Sequence, residues 1–307
     1  MLLKLKETLC ESGGKQNANK RYINEDFLLN FAVKSGSKKY NFIILMDGST
    51  GLGKECEIMP GYTSAEWYVK TISLYIRQML TKFPCASFEK VVDNSIEKIN
   101  KKIEKYETEK NIKLEEYQKP SASISLLRSD ENQTVLYLMG DTQTLIKYKN
   151  GKVEKVNNPN QVAVQKLDNL VLKRMVEISR EKNCDVIDAR KELEIEKMLQ
   201  ENRNKKNTYN EGGYWVCGTT IDSAKNGVTL TFNNSEIAEI LLATDGFDYS
   251  MLGVDDDEIF KLVNRNGIEK IKNLIREKQN KDLGCNVFPR FKKGDDLTVA
   301  YLEYIDC

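Results

Sequence analysis

With 307 residues, 40% hydrophobic and 30% charged, the chain can bury an ample core, and its net charge of +1 supplies no field drawing it onto nucleic acid or a membrane. It contains no histidine, which excludes Ser-His-Asp and Cys-His nucleophilic catalysis and any His-ligated zinc site. Seven scattered cysteines without a C-x-x-C pair point to reduced, cytoplasmic thiols, and no apolar run approaches the length of a bilayer span.

The N-terminal "MLLKLKETL" alternates Leu with Lys and predicts a strand rather than a signal peptide. Strands follow at "FLLNFAV" and "NFIILM". A helix is expected from about Thr63, where Thr63-x-x-Glu66 reads as a capping box and Ala65, Val69, Ile72, Ile76 and Met79 share a face. A second helix from Ser87 carries Val92, Ile96, Ile99, Ile103 and Tyr106 at the same spacing. Strands return at 121–127, 134–139 and 144–148, with "KNGK" as a turn. Two charged helical stretches, about 167–178 and 186–199, lead into "ENRNKKNTYNEGG", which reads as a mobile loop. Strands at "GVTLTF" and "EIAEILLAT", helices near 256–264 and 267–278, and a last strand "LTVAYLEY" complete the chain. This order predicts a sheet core with helices on its outer faces.

The segment "DGSTGLGKE" (47–55) can be read in two ways. From Gly48 it has the G-x-x-x-x-G-K spacing of a phosphate-binding P-loop. That loop needs a Ser or Thr hydroxyl after the Lys and opens directly into a helix, whereas Glu55 follows Lys54 and Pro60-Gly61 soon interrupts the chain. From Asp47 it is a strand ending in a carboxylate and a Gly-rich turn. Asp141, Asp245 and the Asp295-Asp296 pair likewise stand at strand ends beside glycines, and Asp26 precedes a strand. A single Asp-Gly is usually a turn former. Five such sites suggest oxygen ligation of a hard cation such as Mg²⁺ or Mn²⁺.

"RYINED", "MDGSTG", "SASIS", "MGDTQ", "ATDGF" and "GDDLTV" occur in an order that resembles the metal-dependent type 2C protein Ser/Thr phosphatases, in the style of the bacterial members. The resemblance covers nearly the whole chain and implies one catalytic domain, 1–307, of α+β class: a β-sandwich of two mostly antiparallel sheets flanked by helices, with a helical flap at about 165–213. It implies two Mn²⁺ or Mg²⁺ ions, bridged by Asp47, with Gly48, Asp245 and Asp295 as further ligands. Asp141 with Asp245 would hold a third, looser ion. Glu25 and Asp26 would orient waters, and Arg21 would clamp the substrate phosphate. Ser49 stands where some members carry a histidine, and Asp296 where asparagine is common. The cations Arg203, Lys205 and Lys206 of the flap loop are expected to recognise acidic sequence around the phosphorylated residue. The implied activity is dephosphorylation of phosphoserine and phosphothreonine in cytoplasmic proteins, with a cognate kinase and no nucleic-acid or membrane partner. The alternatives are a pseudophosphatase that binds phosphoproteins without turnover and a P-loop nucleotide enzyme.

Overall fold

In the computed structural model, which describes residues 2–17, 20–53 and 56–305, the period-2 patterns become ten described strands. They are β1 (Leu2–Glu11), β2 (Asp26–Ser35), β3 (Lys38–Ser49), β4 (Ser121–Ser129), β5 (Gln133–Met139), β6 (Gln143–Tyr148), β7 (Val153–Lys155), β8 (Val228–Asn233), β9 (Ile237–Ala243) and β10 (Leu297–Ile305). They form two five-stranded antiparallel sheets, ordered β1-β10-β9-β6-β7 and β2-β3-β4-β5-β8.

The run "NFIILM" is apolar without alternation because both faces of β3 are covered. Ile43 and Leu45 face the other sheet, packing with Leu127, Leu136, Ile240, Leu242 and Ala300 between the two layers. Ile44 and Met46 point the other way, against α1 (Ser64–Lys82) and α2 (Phe88–Lys110). Their facing residues include Val69, Ile72, Ile76, Ile96 and Ile99, the stripes read from the sequence. The second sheet is covered in the same way. Leu241, Val299 and Tyr301 pack against Ile259, Phe260, Ile271 and Ile275.

The N-terminus of α1 is only half a capping box. The Thr63 hydroxyl accepts the Glu66 N–H at 3.2 Å, but the Glu66 carboxylate is turned to Arg21 and Lys70 instead of back to the cap. The first of the two charged helices begins earlier than expected. α3 (Pro159–Lys182) opens with Pro in its first turn and the Asn158 side chain accepting the Asn160 N–H. The second expected helix is split into α4 (Val186–Ala189) and α5 (Leu193–Asn204). α3, α4 and α5 share a small core of Val171, Met175, Ile178, Val186, Ala189 and Ile195 with Cys285. The C-terminal helices are α6 (Asp256–Asn266) and α7 (Ile268–Lys281).

The expectation of a mobile loop after residue 201 is corrected at its centre. Lys206 and Asn207 are buried, the Lys206 ammonium donating to the Glu116 and Lys119 carbonyls at 3.3 and 3.1 Å. The Asn207 side chain accepts the Val216 N–H at 2.9 Å. Among the described residues no helix is long and apolar enough to cross a membrane, and none of the six described cysteines forms a disulfide.

Candidate functional site

Strand pairing assembles the acids from distant parts of the chain. β2 begins at Asp26 and β3 closes on Asp47-Gly48-Ser49, so the antiparallel register sets Asp26 opposite Asp47. β4 places Ser123 on the other side of Asp47. The Ser123 hydroxyl donates to the Asp141 carboxylate at 2.5 Å, fixing the acid that follows β5. Asp245 follows β9, and the preceding Thr244 hydroxyl donates to Asp26 at 2.8 Å. Asp295 precedes β10. Two glycines permit this crowding. A Cβ on Gly48 would lie 2.3 Å from the Glu25 carbonyl oxygen, and one on Gly246 would lie 1.9 Å from the Asp296 carbonyl oxygen.

Glu25, Asp47, Gly48, Asp141, Asp245 and Asp295 line one cleft of about 360 Å³. Asp26 lies buried behind Asp47 and is not in the cleft wall. Burial, and then Asp245, Asp26 and Asp141, hold the Asp47 carboxyl well above the ordinary carboxylate range. Asp26 is pushed up to about 8, mainly by burial. Asp141 is raised by burial against the opposing pull of its Ser123 hydrogen bond. Asp245 is raised by the protein packed around its carboxyl and then by Asp295 and Asp141, although its side chain still meets solvent in the cleft and this moderates the rise. Like charges this close cannot all ionise unaided. A divalent cation held among these carboxyls would favour their charged forms.

The donor chemistry fits such an ion. The oxygen groups the cleft offers are carboxylates and a backbone carbonyl, with neither imidazole nor cleft-lining thiolate, as hard Mg²⁺ or Mn²⁺ prefers. Among the described residues no three acids or thiols already converge on a single ligation point. The arrangement suits ions held by one or two carboxylates each, with waters completing the shell.

Asp296 is aimed away from the cleft: its carboxylate accepts the Gly13 and Glu25 N–H groups at 2.7 and 2.6 Å. It thus clamps the N-terminal loop and fixes the backbone of Glu25, whose carboxylate accepts the Thr50 hydroxyl at 2.5 Å.

Arg21 is not brought to the cleft. Its guanidinium forks onto both Glu66 oxygens at 2.7 Å, donates to the Gly61 carbonyl at 2.6 Å and stacks 4.8 Å from the Tyr62 ring centre. Lys205 and Lys206 do not line the cleft, and burial beneath the 116–119 turn removes Lys206 from contact with any flanking peptide. Arg203, in the last turn of α5, does line the cleft and donates to the Ser49 hydroxyl.

Three further cleft residues were not singled out from the sequence. Lys292 reaches Asp295 at 2.6 Å. The protein packed around its ammonium works against the charge, though only weakly because the side chain is 54% exposed, and Asp295, Asp245 and Asp47 hold it above the ordinary lysine value. Asp168 of α3 is raised to about 7 by burial and Asp141. Arg190 lines the flap side. Asp168 and Arg190 sit among ordinary charged flap residues, and only the tertiary fold selects them. Lys292, three residues before Asp295, was the most findable.

The residues that decide the P-loop reading, Lys54 and Glu55, lie outside the described residues. Among the described residues no helix opens directly after the loop, since α1 starts only at Ser64.

Two antiparallel five-stranded sheets, helices on both outer faces and a carboxylate cleft at the strand ends define the fold of the type 2C protein phosphatases. The chain is similar over 99% of its length to Ser/Thr phosphatase Stp1 from Staphylococcus aureus, at 17% identity and TM-score 0.52, covering 96% of that chain. It is similar to the S. agalactiae serine/threonine phosphatase at 14% identity and TM-score 0.56, with 99% and 100% of the two chains covered. The catalytic domain of the serine/threonine phosphatase PstP, solved with two manganese ions, matches at 14% identity and TM-score 0.50, with 99% and 100% covered. The sequence matches no protein-family model and no curated protein.

Proposed function

We propose that the chain is a single catalytic domain, a Mn²⁺- or Mg²⁺-dependent protein Ser/Thr phosphatase that acts on cytoplasmic phosphoproteins in a signalling pathway opposite a cognate kinase. The observation that carries this reading is the crowding of Asp47, Asp141, Asp245 and Asp295 around one cleft, with Asp26 buried behind Asp47. The manganese complex of the structurally similar PstP domain supports it.

Asp47, the Gly48 carbonyl, Asp245 and Asp295 would hold two ions, and Asp141 with Asp245 a third. Bound there, the ions supply an activated water and neutralise phosphoryl charge. Glu25, fixed through its own N–H by Asp296 and through its carboxylate by Thr50, faces the cleft and would orient water by accepting its hydrogen bonds. Asp26, anchored by the Thr244 hydroxyl, holds the Asp47 side of the floor in place. Without histidine, no imidazole is available to protonate the departing seryl or threonyl oxygen. The net reaction is water plus phosphoserine giving serine and phosphate, with cleavage of the P–O bond.

The test is Mn²⁺- or Mg²⁺-dependent release of phosphate from phosphoserine and phosphothreonine peptides and from p-nitrophenyl phosphate, abolished by EDTA. Metal-dependent thermal stabilisation without turnover would leave the pseudophosphatase reading in its place. Neither stabilisation nor turnover would remove the metal-centre reading altogether.

A further inference from the structure

The cation expected to clamp substrate phosphate, Arg21, has its fork already committed. Both terminal nitrogens hold Glu66, whose side chain is only 1% exposed, and one of them also holds the Gly61 carbonyl. Releasing Arg21 would leave a buried carboxylate with Lys70 alone. Arg21 also lies outside the cleft wall.

Arg203 is in the opposite situation. It lines the cleft, is half-buried, and forms no ion pair with a described residue. Among the described residues its guanidinium makes one hydrogen bond, to the Ser49 hydroxyl, two residues beyond Asp47. Most of its N–H groups therefore remain available beside the acids proposed to hold the ions. Asp141 and Asp168 feel its charge from the same cleft. Arg190 adds a second guanidinium on the flap side.

Its position is built rather than incidental. Three residues on, Lys206 is buried with its ammonium on the Glu116 and Lys119 carbonyls. The Tyr117 carbonyl of that same turn accepts the Leu52 N–H at 2.8 Å. One turn, 116–119, thus ties the end of α5 to the loop that follows Asp47. A guanidinium held in this way presents a planar fork to two oxygens of a phosphate.

We propose that Arg203, from the flap, is the residue that binds the substrate phosphate in this protein, and that Lys206 is its positioning residue. The assignment rests on the phosphatase reading for its substrate class, but phosphate binding can be measured without turnover.

Inorganic phosphate is titrated into Mg²⁺-saturated wild type, Arg203→Ala, Arg203→Lys and Arg21→Ala by calorimetry, with circular dichroism to show that each variant is folded. Arg203→Ala should weaken phosphate binding about tenfold, the scale of one charge-assisted hydrogen-bonded contact. Arg203→Lys should recover part of the loss, and Arg21→Ala should stay within about twofold of wild type. In parallel, KM for p-nitrophenyl phosphate should rise in Arg203→Ala with kcat less affected. Unchanged phosphate affinity in folded Arg203→Ala, or no phosphate binding by wild type, overturns the assignment. Wild type that binds phosphate through Arg203 yet releases no p-nitrophenol upholds the assignment and overturns the phosphatase reading instead.

Discussion

Asp26 and Asp47 stand directly opposite each other across the β2–β3 pair. Like charges facing across an antiparallel pair are destabilising, so a sheet optimised for stability alone would not keep them. Burial adds to the cost, pushing Asp26 up to about 8 and Asp47 above its ordinary range. Carboxyls disfavoured in this way beside a cleft point to a candidate functional site.

The first prediction follows from that cost. Asp47→Asn replaces a carboxyl whose charged form burial and its acidic neighbours disfavour with a neutral amide, so the metal-free variant should melt at or above the wild-type temperature in EDTA. It should also lose the rise in Tm that Mn²⁺ gives wild type, because the proposed bridging ligand is gone. Turnover should fall to background. An equal Mn²⁺-induced shift in both proteins would refute Asp47 as a ligand.

Glu66 supplies a prediction about acid stability. Burial opposes its ionisation, but the hydrogen bonds from Arg21 and Lys70 win and hold its carboxyl below the ordinary value of 4.5. A lowered folded-state pKa contributes stability above the unfolded value and loses it as pH falls through the folded one. Glu66→Gln should therefore cost roughly 1–3 kcal/mol at pH 7. That is less than for a fully buried pair, because both cations are partly in water. The difference from wild type should shrink below pH 4.5, as followed by urea unfolding at several pH values. A constant difference down to pH 3 would mean that packing, not charge, is lost.

Asp168 has the opposite sign. Burial, then Asp141, raise it to about 7, against the pull of Arg203. A raised carboxyl contributes fully below the unfolded value of 3.8 and costs stability as pH rises toward 7. Asp168→Asn imitates the protonated form. In EDTA it should match wild type near pH 4 and exceed it by roughly 1–3 kcal/mol at pH 8. Parallel stability curves for the two proteins across this range would show that Asp168 does not titrate between them.

The sandwich was legible because its signals are local. The β3 run, the α1 and α2 stripes and the acid at each strand end are set by residues within a few positions of one another. Asp47, Gly48, Asp141, Asp245 and Asp295, the residues expected to hold metal, therefore line one cleft. What failed depended on tertiary partners. Thr63-x-x-Glu66 has the capping-box spacing, yet Arg21, 45 positions away, takes the Glu66 side chain. The same pair removes Arg21 from the cleft. The polar run "NRNKKN" looks solvated, yet Lys206 finds carbonyls nearly ninety positions back in the chain and is buried. No pattern in the sequence distinguishes Lys206 from Lys205.

That burial yields the last prediction. Burial depresses the Lys206 ammonium to about 8, with Glu116 partly restoring it, so at pH 7 the protein keeps a charge where solvent cannot reach. Lys206→Met keeps the length of the stem but removes the donors to the Glu116 and Lys119 carbonyls. Unpaired buried carbonyls cost about 1–3 kcal/mol, partly offset by losing the buried charge, so global stability should change little. The local consequence should be larger. Without the anchor, the end of α5 separates from the 116–119 turn, and cleavage after Arg203 or Lys205 by trypsin should speed up severalfold under native conditions. If Lys206 positions Arg203, KM for p-nitrophenyl phosphate should rise in the same variant, and Lys206→Met combined with Arg203→Ala should be no worse than Arg203→Ala alone. Additive losses in the double variant would separate the two residues and leave Lys206 as a structural lysine only.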